Sequence, residues 1–329
     1  MASNKPVALV VGASRGIGRQ VAVDLARNGY AVVVAAKTIS DPSKPTEPFP
    51  PNPNSSASTI TTVAREITTA GGHATAVQVD VRSPESIDNL ISKDPLCNLP
   101  QLASSTTTLL LTQRQAYGRL DVLVYNSGAI FWAPVSSTPV KRFQLMQRVN
   151  PEGLYATIQA ALPHLPSTGR IVVVSPPIYS RFFRGKTAYA MGKVGMSVLT
   201  KGLAMDFERE GKKDMAITSI WPAVAIESAA TEQFTRKNPD EANDLRKATI
   251  FSNAILAILQ APPSVVNGEL LLDEDFLREH AGVTDFSKYN VVPGTSPRRI
   301  MPQQLPDLTV AEQADEGKRY DSSKDKAKL

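Results

Sequence analysis

Tyr189 and Lys193 stand four residues apart in the stretch "YAMGK". On a helix that spacing puts both side chains on one face. A free phenol titrates near about 10 and is a poor acid–base at neutral pH. An ammonium beside it stabilises the phenolate and brings the group toward a useful range. The spacing alone equally suits an ordinary surface pair. A second constellation gives it context. Gly12, Gly16 and Gly18 lie in "LVVGASRGIG" with the pattern G-x-x-x-G-x-G, after an apolar run and at the start of a helical pattern. Glycines let the backbone turn tightly and approach a pyrophosphate, and the helix N-terminus offers free N–H groups and a dipole that favours an anion. Ser14, Arg15 and Ile17 fall inside the same loop. The alternative is a strand–turn–helix with incidental glycines. It loses ground because strand, turn and helix follow in the order that dinucleotide binding requires.

Two charges sharpen the cofactor reading. Dinucleotide folds place an acid at the end of the second strand to bind the adenine ribose hydroxyls. Here that strand runs "VVVAAKT" and ends near Lys37, with no acid. A carboxylate would repel a 2′-phosphate, whereas Arg15 and Lys37 would attract one, so NADP(H) is preferred over NAD(H). The competing reading of Lys37 is a solvated strand-end charge. Asp80, in "VDVR" after the third strand, is placed to accept from the adenine amino group, or is simply a loop carboxylate.

These residues need a frame that brings them together. Short β-branched runs predict strands at Val7–Val11, Ala31–Ala35, Ala74–Val79, Val122–Tyr125, Ile171–Val174, Ala216–Trp221 and Glu269–Leu272. Amphipathic stretches predict helices at Ile17–Asn28, Ser58–Ala70, Ser83–Ile91, Val140–Leu165 and Thr187–Arg209. The strands are continuous apolar runs, the pattern of a parallel sheet covered on both faces. The β-α-β order argues for an α/β fold, a Rossmann-like doubly wound parallel sheet in a single domain. That domain is expected over 1–292. It carries a loop at 39–57 rich in Pro, Ser and Asn, and a surface insertion at 93–113. Residues 293–329 are expected to form a polar, solvated tail.

Composition narrows the classes. The chain has 329 residues, 42% of them hydrophobic, enough for one sizeable core. No apolar run reaches the length of a membrane span. One cysteine, Cys97, excludes an internal disulfide and fits a reducing compartment. His73, His164 and His280 are scattered and show no metal-ligand spacing. A net charge of +5, spread along the chain, points to an anionic cofactor or substrate, not to nucleic acid.

The pieces "GASRGIG", "VDVR", "DVLVYNSGA", Val149–Asn150, "IVVVS" and "YAMGK" together resemble the short-chain dehydrogenases/reductases. "VVAAKT", "SPP" at Ser175–Pro177, "WPAVAIESAA" and "GELLLDEDFL" are similar to the hydroxysteroid dehydrogenase-like protein 2 subgroup, which often carries a sterol-carrier domain after the reductase. This chain is expected to hold the reductase half only. The resemblance implies roles. Tyr189 would be the general acid or base, and Lys193 would hold the nicotinamide ribose and lower the tyrosine pKa. Ser175 would orient the substrate oxygen, with Ser180 as runner-up because Pro176 replaces half of the usual Ser-Ser pair. Asn150 would hold a water in a proton relay, or only shape the helix break before Pro151. Asn126 would support the cofactor site, and Ile226 would meet the nicotinamide amide. The substrate pocket is expected from Arg181–Lys186 and the segment after Trp221, with Phe182 and Phe183 making it apolar.

The expected activity is therefore NADP(H)-dependent interconversion of a carbonyl and an alcohol on a lipid-like or other small organic substrate. An enoyl- or dienoyl-thioester reductase and a cofactor-binding protein with little turnover remain as alternatives. The resemblance implies a homodimer or homotetramer through the helices at Val140–Leu165 and Thr187–Arg209. The final Ala327-Lys328-Leu329 resembles a peroxisomal address read by an import receptor, with a cytoplasmic location as the alternative.

Overall fold

The computed structural model describes residues 5–41, 48–91 and 119–310. The expected insertion at 93–113 and the C-terminal tripeptide lie outside the described residues. Among the described residues seven strands form one sheet: β1 (Val7–Val11), β2 (Ala31–Ala36), β3 (His73–Gln78), β4 (Val122–Tyr125), β5 (Arg170–Val174), β6 (Ala216–Trp221) and β7 (Leu270–Leu272), in the order β3-β2-β1-β4-β5-β6-β7. Every pairing is parallel, with Val11 of β1 opposite Ala35 on one side and Tyr125 on the other. The chain winds outward from β1 to β3, then crosses back to β4. The switch between β1 and β4 opens a crevice at the carboxyl ends of the strands, where such sheets bind ligands.

The apolar runs are buried on both faces, as a covered parallel sheet demands. Ala8 and Val10 face one layer, made by α1 (Gly16–Arg27), α2 (Ile60–Thr69), and two helices late in the chain. Leu9 and Val11 face the other, where Ile87 of α3 (Pro84–Ile91) packs with Leu154, Ile158, Met196 and Phe207. The α2 start is set by Thr59, whose side chain accepts from the Thr62 N–H while Thr62 returns the bond.

Four features depart from the sequence expectation. The stretch predicted as one helix over Val140–Leu165 is divided into α4 (Val140–Gln147), a wide π-type turn at Arg148–Glu152 and α5 (Gly153–Ala161). Pro151 causes this, since it removes a helix donor and crowds the preceding turn. After α6 (Thr187–Arg209) come helices that the patterning did not mark: α7 (Ala229–Thr235), α8 (Thr249–Gln260) and α9 (Asp273–His280). The run "TIFSNAILAILQ" of α8 is apolar almost all round, so it carries little helical period.

The loop expected at 39–57 lies against the glycine loop in its described part. Pro53 O accepts from the Gly16 N–H at 2.8 Å, and Ser58 Oγ donates to Ser14 O at 2.7 Å. Finally, the expectation of a solvated tail from residue 293 is corrected at residues 298–301. The N–H groups of Ile300 and Met301 donate to Ala223 O at 2.9 and 3.2 Å, and Met301 is buried. Arg299 forks onto Asp275 at 2.6 and 2.7 Å. The polar composition of the segment conceals this, because Arg299 finds its partner in α9 while Arg298 stays largely exposed beside Asp244.

Candidate active site

The glycines of the first loop are required for different reasons. Gly12 has φ +88°, and a Cβ there would stand 2.6 Å from Ser127 N. Gly16 has φ +58°, a left-handed conformation that side chains disfavour. At Gly18 the conformation is ordinary, but a Cβ would collide with Gly12 O and come within 2.5 Å of Asn126 Nδ2. Asn126 is the brace: its Nδ2 donates to Gly12 O at 3.0 Å and its N–H to Val11 O at 2.9 Å. The result is a crevice of about 410 Å³. Gly12, Ser14, Arg15, Gly16, Ile17, Lys37 and Asn126 line it together with Tyr189 and Lys193. It is lined by bare backbone at α1 and bordered by Arg15 and Lys37, so its walls fit the pyrophosphate of a dinucleotide.

Tyr189 and Lys193 sit in the first turns of α6, both buried. Burial pushes the Tyr189 phenol well above its ordinary value and brings the Lys193 ammonium down to about 7. Lys193 Nζ donates to Val174 O at 2.8 Å, which fixes it at the end of β5. Gly128 keeps space open there, since a Cβ would lie 3.3 Å from Lys193 Nζ and 3.5 Å from Asn150 Oδ1. Around Tyr189 the walls are aromatic: Phe182 at 6.2 Å between ring centroids, and Trp132 edge-on at 6.1 Å. Phe182 also meets Trp221 at 5.9 Å, so the expected apolar pocket residues Phe182 and the Trp221 segment do converge.

At the other end of the crevice Lys37 Nζ donates to Asp80 Oδ2 at 3.0 Å, and Arg82 Nε donates to Asp80 Oδ1 at 2.8 Å. Arg82 chiefly, with Lys37, holds the Asp80 carboxyl well below the usual carboxylate range. One carboxylate between two cations leaves a net positive corner.

Five of the expected residues, Gly18, Asp80, Asn150, Ser175 and Ile226, are not among those lining the crevice. Ser175 is fully buried, and its hydroxyl is spent on Ser219: the two Oγ atoms lie 2.9 Å apart, and Ser219 Oγ donates to Ser175 O at 2.6 Å. Ser175 follows β5 directly, and its hydroxyl meets Ser219 of β6. Ser180, the runner-up, is exposed at the start of a short helical turn and also lies off the crevice. Ile226 is buried beside Arg246, and its carbonyl accepts from Thr231 Oγ1 at 3.0 Å. Asn150, in the π-type turn, clamps Ala129 instead: Oδ1 accepts from the Ala129 N–H at 2.8 Å and Nδ2 donates to Ala129 O at 3.2 Å. It thus fixes the loop that carries Gly128 against Lys193. Sequence reasoning missed Ser127, Gly128 and Ile130, which line the crevice, whereas Pro222 and Ser228–Ala230 line it as part of the segment after Trp221 that was expected to form a pocket. Adjacency to Asn126 was the available signal for the first group.

A nucleotide crevice at the switch of a doubly wound sheet, with a phenol and an amine facing into it, defines a dinucleotide-dependent oxidoreductase. A family model described as short chain dehydrogenase matches residues 6–49 and 101–239, and the chain belongs to that family, whose members are NAD(P)-dependent oxidoreductases. Hydroxysteroid dehydrogenase-like protein 2 of Mus musculus is 32% identical over 289 residues, covering 87% of this chain and 51% of that protein. The chain spans about half to three fifths of the curated relatives that it matches. A short chain dehydrogenase homologue of Mycobacterium thermoresistibile superposes with a TM-score of 0.70 at 29% identity, covering 89% of this chain and 93% of that one. The angucycline C-6 ketoreductase LanV, solved with bound NADP, shares the fold at a TM-score of 0.59 and 22% identity, over 82% of this chain and 93% of that one.

Proposed function

We propose that this chain interconverts a carbonyl and an alcohol with NADP(H), and that Tyr189 moves the proton at the substrate oxygen. The observation that carries this reading is the sharing of one crevice by Tyr189, Lys193 and the glycine loop. When bound, the coenzyme supplies the hydride. The chain supplies the rest. Burial keeps the Tyr189 phenol protonated, so a proton is present for a carbonyl oxygen, but it raises the phenol's pKa where the sequence reading expected Lys193 to lower it. Lys193, anchored on Val174 O, is held where the ribose would lie. Asn150 acts as a positioning residue through Ala129 and Gly128. Lys37 and Arg15 favour a 2′-phosphate, in keeping with the NADP bound to the LanV ketoreductase.

The turning of Ser175 toward Ser219 favours a second reading, reduction of an enoyl thioester, because no serine hydroxyl is then required to orient a ketone oxygen. Parallel assays of ketones and enoyl thioesters with NADPH separate the two. For either, Tyr189→Phe is expected to lower turnover about 100-fold to 10,000-fold while NADPH binding survives. Full turnover in that variant would remove Tyr189 from the chemistry. A wild type that binds NADPH and turns over neither panel would favour a cofactor-binding protein.

Assembly and address belong to the same proposal. Met191, Val198 and Met205 are exposed at heptad spacing on α6, and Tyr155 on α5 is exposed as well, which suits these helices to pack against a second copy. Light scattering giving a monomer mass would remove that element. Peroxisomal delivery through Ala327-Lys328-Leu329 is tested by masking the C-terminus with a fused tag and following localisation.

A further inference from the structure

A second cavity, of about 380 Å³, lies beside the crevice, on the far side of α7. The helix joins the two: Ser228–Ala230 at its start line the crevice, whereas Phe234 and Thr235 at its end line the cavity. Trp132 is the other link. Its ring meets Tyr189 edge-on and stacks on Phe234 at 6.1 Å, with only 13° between the planes. A molecule held at the phenol and lying along Trp132 is led to Phe234 and into the cavity.

The walls there are chiefly apolar: Trp132, Phe234 and Ile300 remain 46%, 42% and 51% exposed in a monomer. Large half-exposed aromatics stacked on each other leave apolar surface in water that a ligand would cover. The charges at the rim are already matched. Arg298 Nε donates to Asp244 Oδ2 at 2.7 Å, with Glu241 adding attraction, and Arg299 is forked onto Asp275. A charged ligand group would compete with one of these ion pairs, whereas a hydrocarbon disturbs neither of them.

We propose that this cavity holds the hydrocarbon body of a neutral ketone whose carbonyl stands at Tyr189, and that Phe234 and Ile300 set the preference for length. The proposal rests on the reading of the Tyr189 crevice as a carbonyl-reducing site, and adds to it a substrate class and a second chamber. That chamber exists only because residues 298–300 dock on the fold.

The test is a series of methyl ketones from 2-butanone to 2-dodecanone, reduced with NADPH, alongside 11-oxododecanoate, which ends the same chain in a carboxylate. In the wild type kcat/KM is expected to climb about threefold to fourfold per methylene until the chamber is full. The ratio of kcat/KM for 2-dodecanone to that for 2-butanone is expected to fall at least about tenfold in Phe234→Ala and in Ile300→Ser, a loss of two or more buried methylenes each. The oxo acid is expected to be poorer than 2-dodecanone. A flat series, a ratio unchanged in both variants, or a preference for the oxo acid would overturn the proposal. NADPH binding reports folding; should one variant lose it, the other decides, since both side chains are half-exposed. If the wild type binds NADPH and reduces no ketone, the carbonyl reading fails. Calorimetric titration with 2-dodecanone then judges the chamber by itself: binding weakened at least tenfold in the variants supports it, and equal or absent binding removes it.

Discussion

The two ends of the catalytic cleft are built on different principles. The coenzyme end is built around one short turn. Gly12, Gly16 and Gly18 shape it, and Asn126, which follows β4 and lies 114 residues from Gly12, braces it. The C-terminal end is made by residues far apart. Asp273 accepts from the Ala223 N–H, Glu274 pairs with Arg246, and Arg299 reaches back to Asp275. The first end is rigid because steric clashes permit one backbone path. The second is held by buried and half-buried charge pairs that must each find a partner. A wall set by backbone geometry is intolerant of added atoms, while a wall set by ion pairs is intolerant of lost ones.

The largest effect is expected at the coenzyme end. In Gly18→Ala the new methyl would collide with Gly12 O and the Asn126 amide, so the loop must open. NADPH affinity measured by calorimetry is expected to fall about 100-fold or more, the loss of a preorganised phosphate cradle. Wild-type affinity would mean that the crevice takes the strain elsewhere and that the contrast drawn here is false. At the other end Glu274→Ala leaves Arg246 buried with its strongest partner gone; the two side chains are 11% and 7% exposed. Removing one member of a buried pair costs about 3 to 5 kcal/mol, seen as a lower urea midpoint. A shift below about 1 kcal/mol would show that water reaches Arg246 and that this wall is looser than its contacts imply.

That contrast also explains what could be read beforehand. Tyr189, Lys193 and the glycine loop were legible because each depends on short spacings, i to i+4 or one tight turn. Every predicted strand was found within a residue or two, since a doubly covered sheet writes itself as continuous apolar runs. Ser175 was misplaced for a reason no spacing records. Whether a hydroxyl at a strand end faces the cleft or the next strand depends on Ser219, which lies 44 residues on. Residues 298–301 looked solvated because their partners, Asp244, Asp275 and Ala223, are far away in the chain. Asn150 had two readings, relay or helix break. The structure puts it in the break that Pro151 makes and gives its amide to Ala129.

A pH effect also separates the ends. In the unfolded chain Lys193 would keep its proton up to the ordinary 10.5, whereas in the folded chain it is lost near about 7. Between these values the unfolded state binds more protons, so stability rises with pH, by about 1.4 kcal/mol per unit at most. Above about 10 the buried phenols of Tyr125 and Tyr189, both pushed up, stay protonated in the fold only, and the gain is offset. Urea midpoints of the coenzyme-free protein from pH 7 to 10 should therefore climb, and Lys193→Met should flatten the climb. A wild-type profile as flat as the variant's would mean that Lys193 is solvated and not desolvated as its position requires.

The smallest effect is expected at Lys37, and it bears most directly on coenzyme choice. Its side chain is 66% exposed, so its ion pair with Asp80 contributes little to folding. What Lys37 contributes is charge at a corner where Arg82 already neutralises Asp80. With Lys37 present the corner carries one net positive charge; without it, none. Lys37→Ala should therefore reduce the ratio of NADPH to NADH affinity about threefold to tenfold, the range for one exposed charge contact with a phosphate. The same ratio in the wild type should shrink as salt rises from 0.05 to 0.5 M, because exposed charges are screened over about a Debye length. If the ratio holds in the variant and ignores salt, Arg15 alone reads the 2′-phosphate. The preference would then sit inside the glycine turn, at the end of the cleft where backbone geometry and not charge pairing decides what fits.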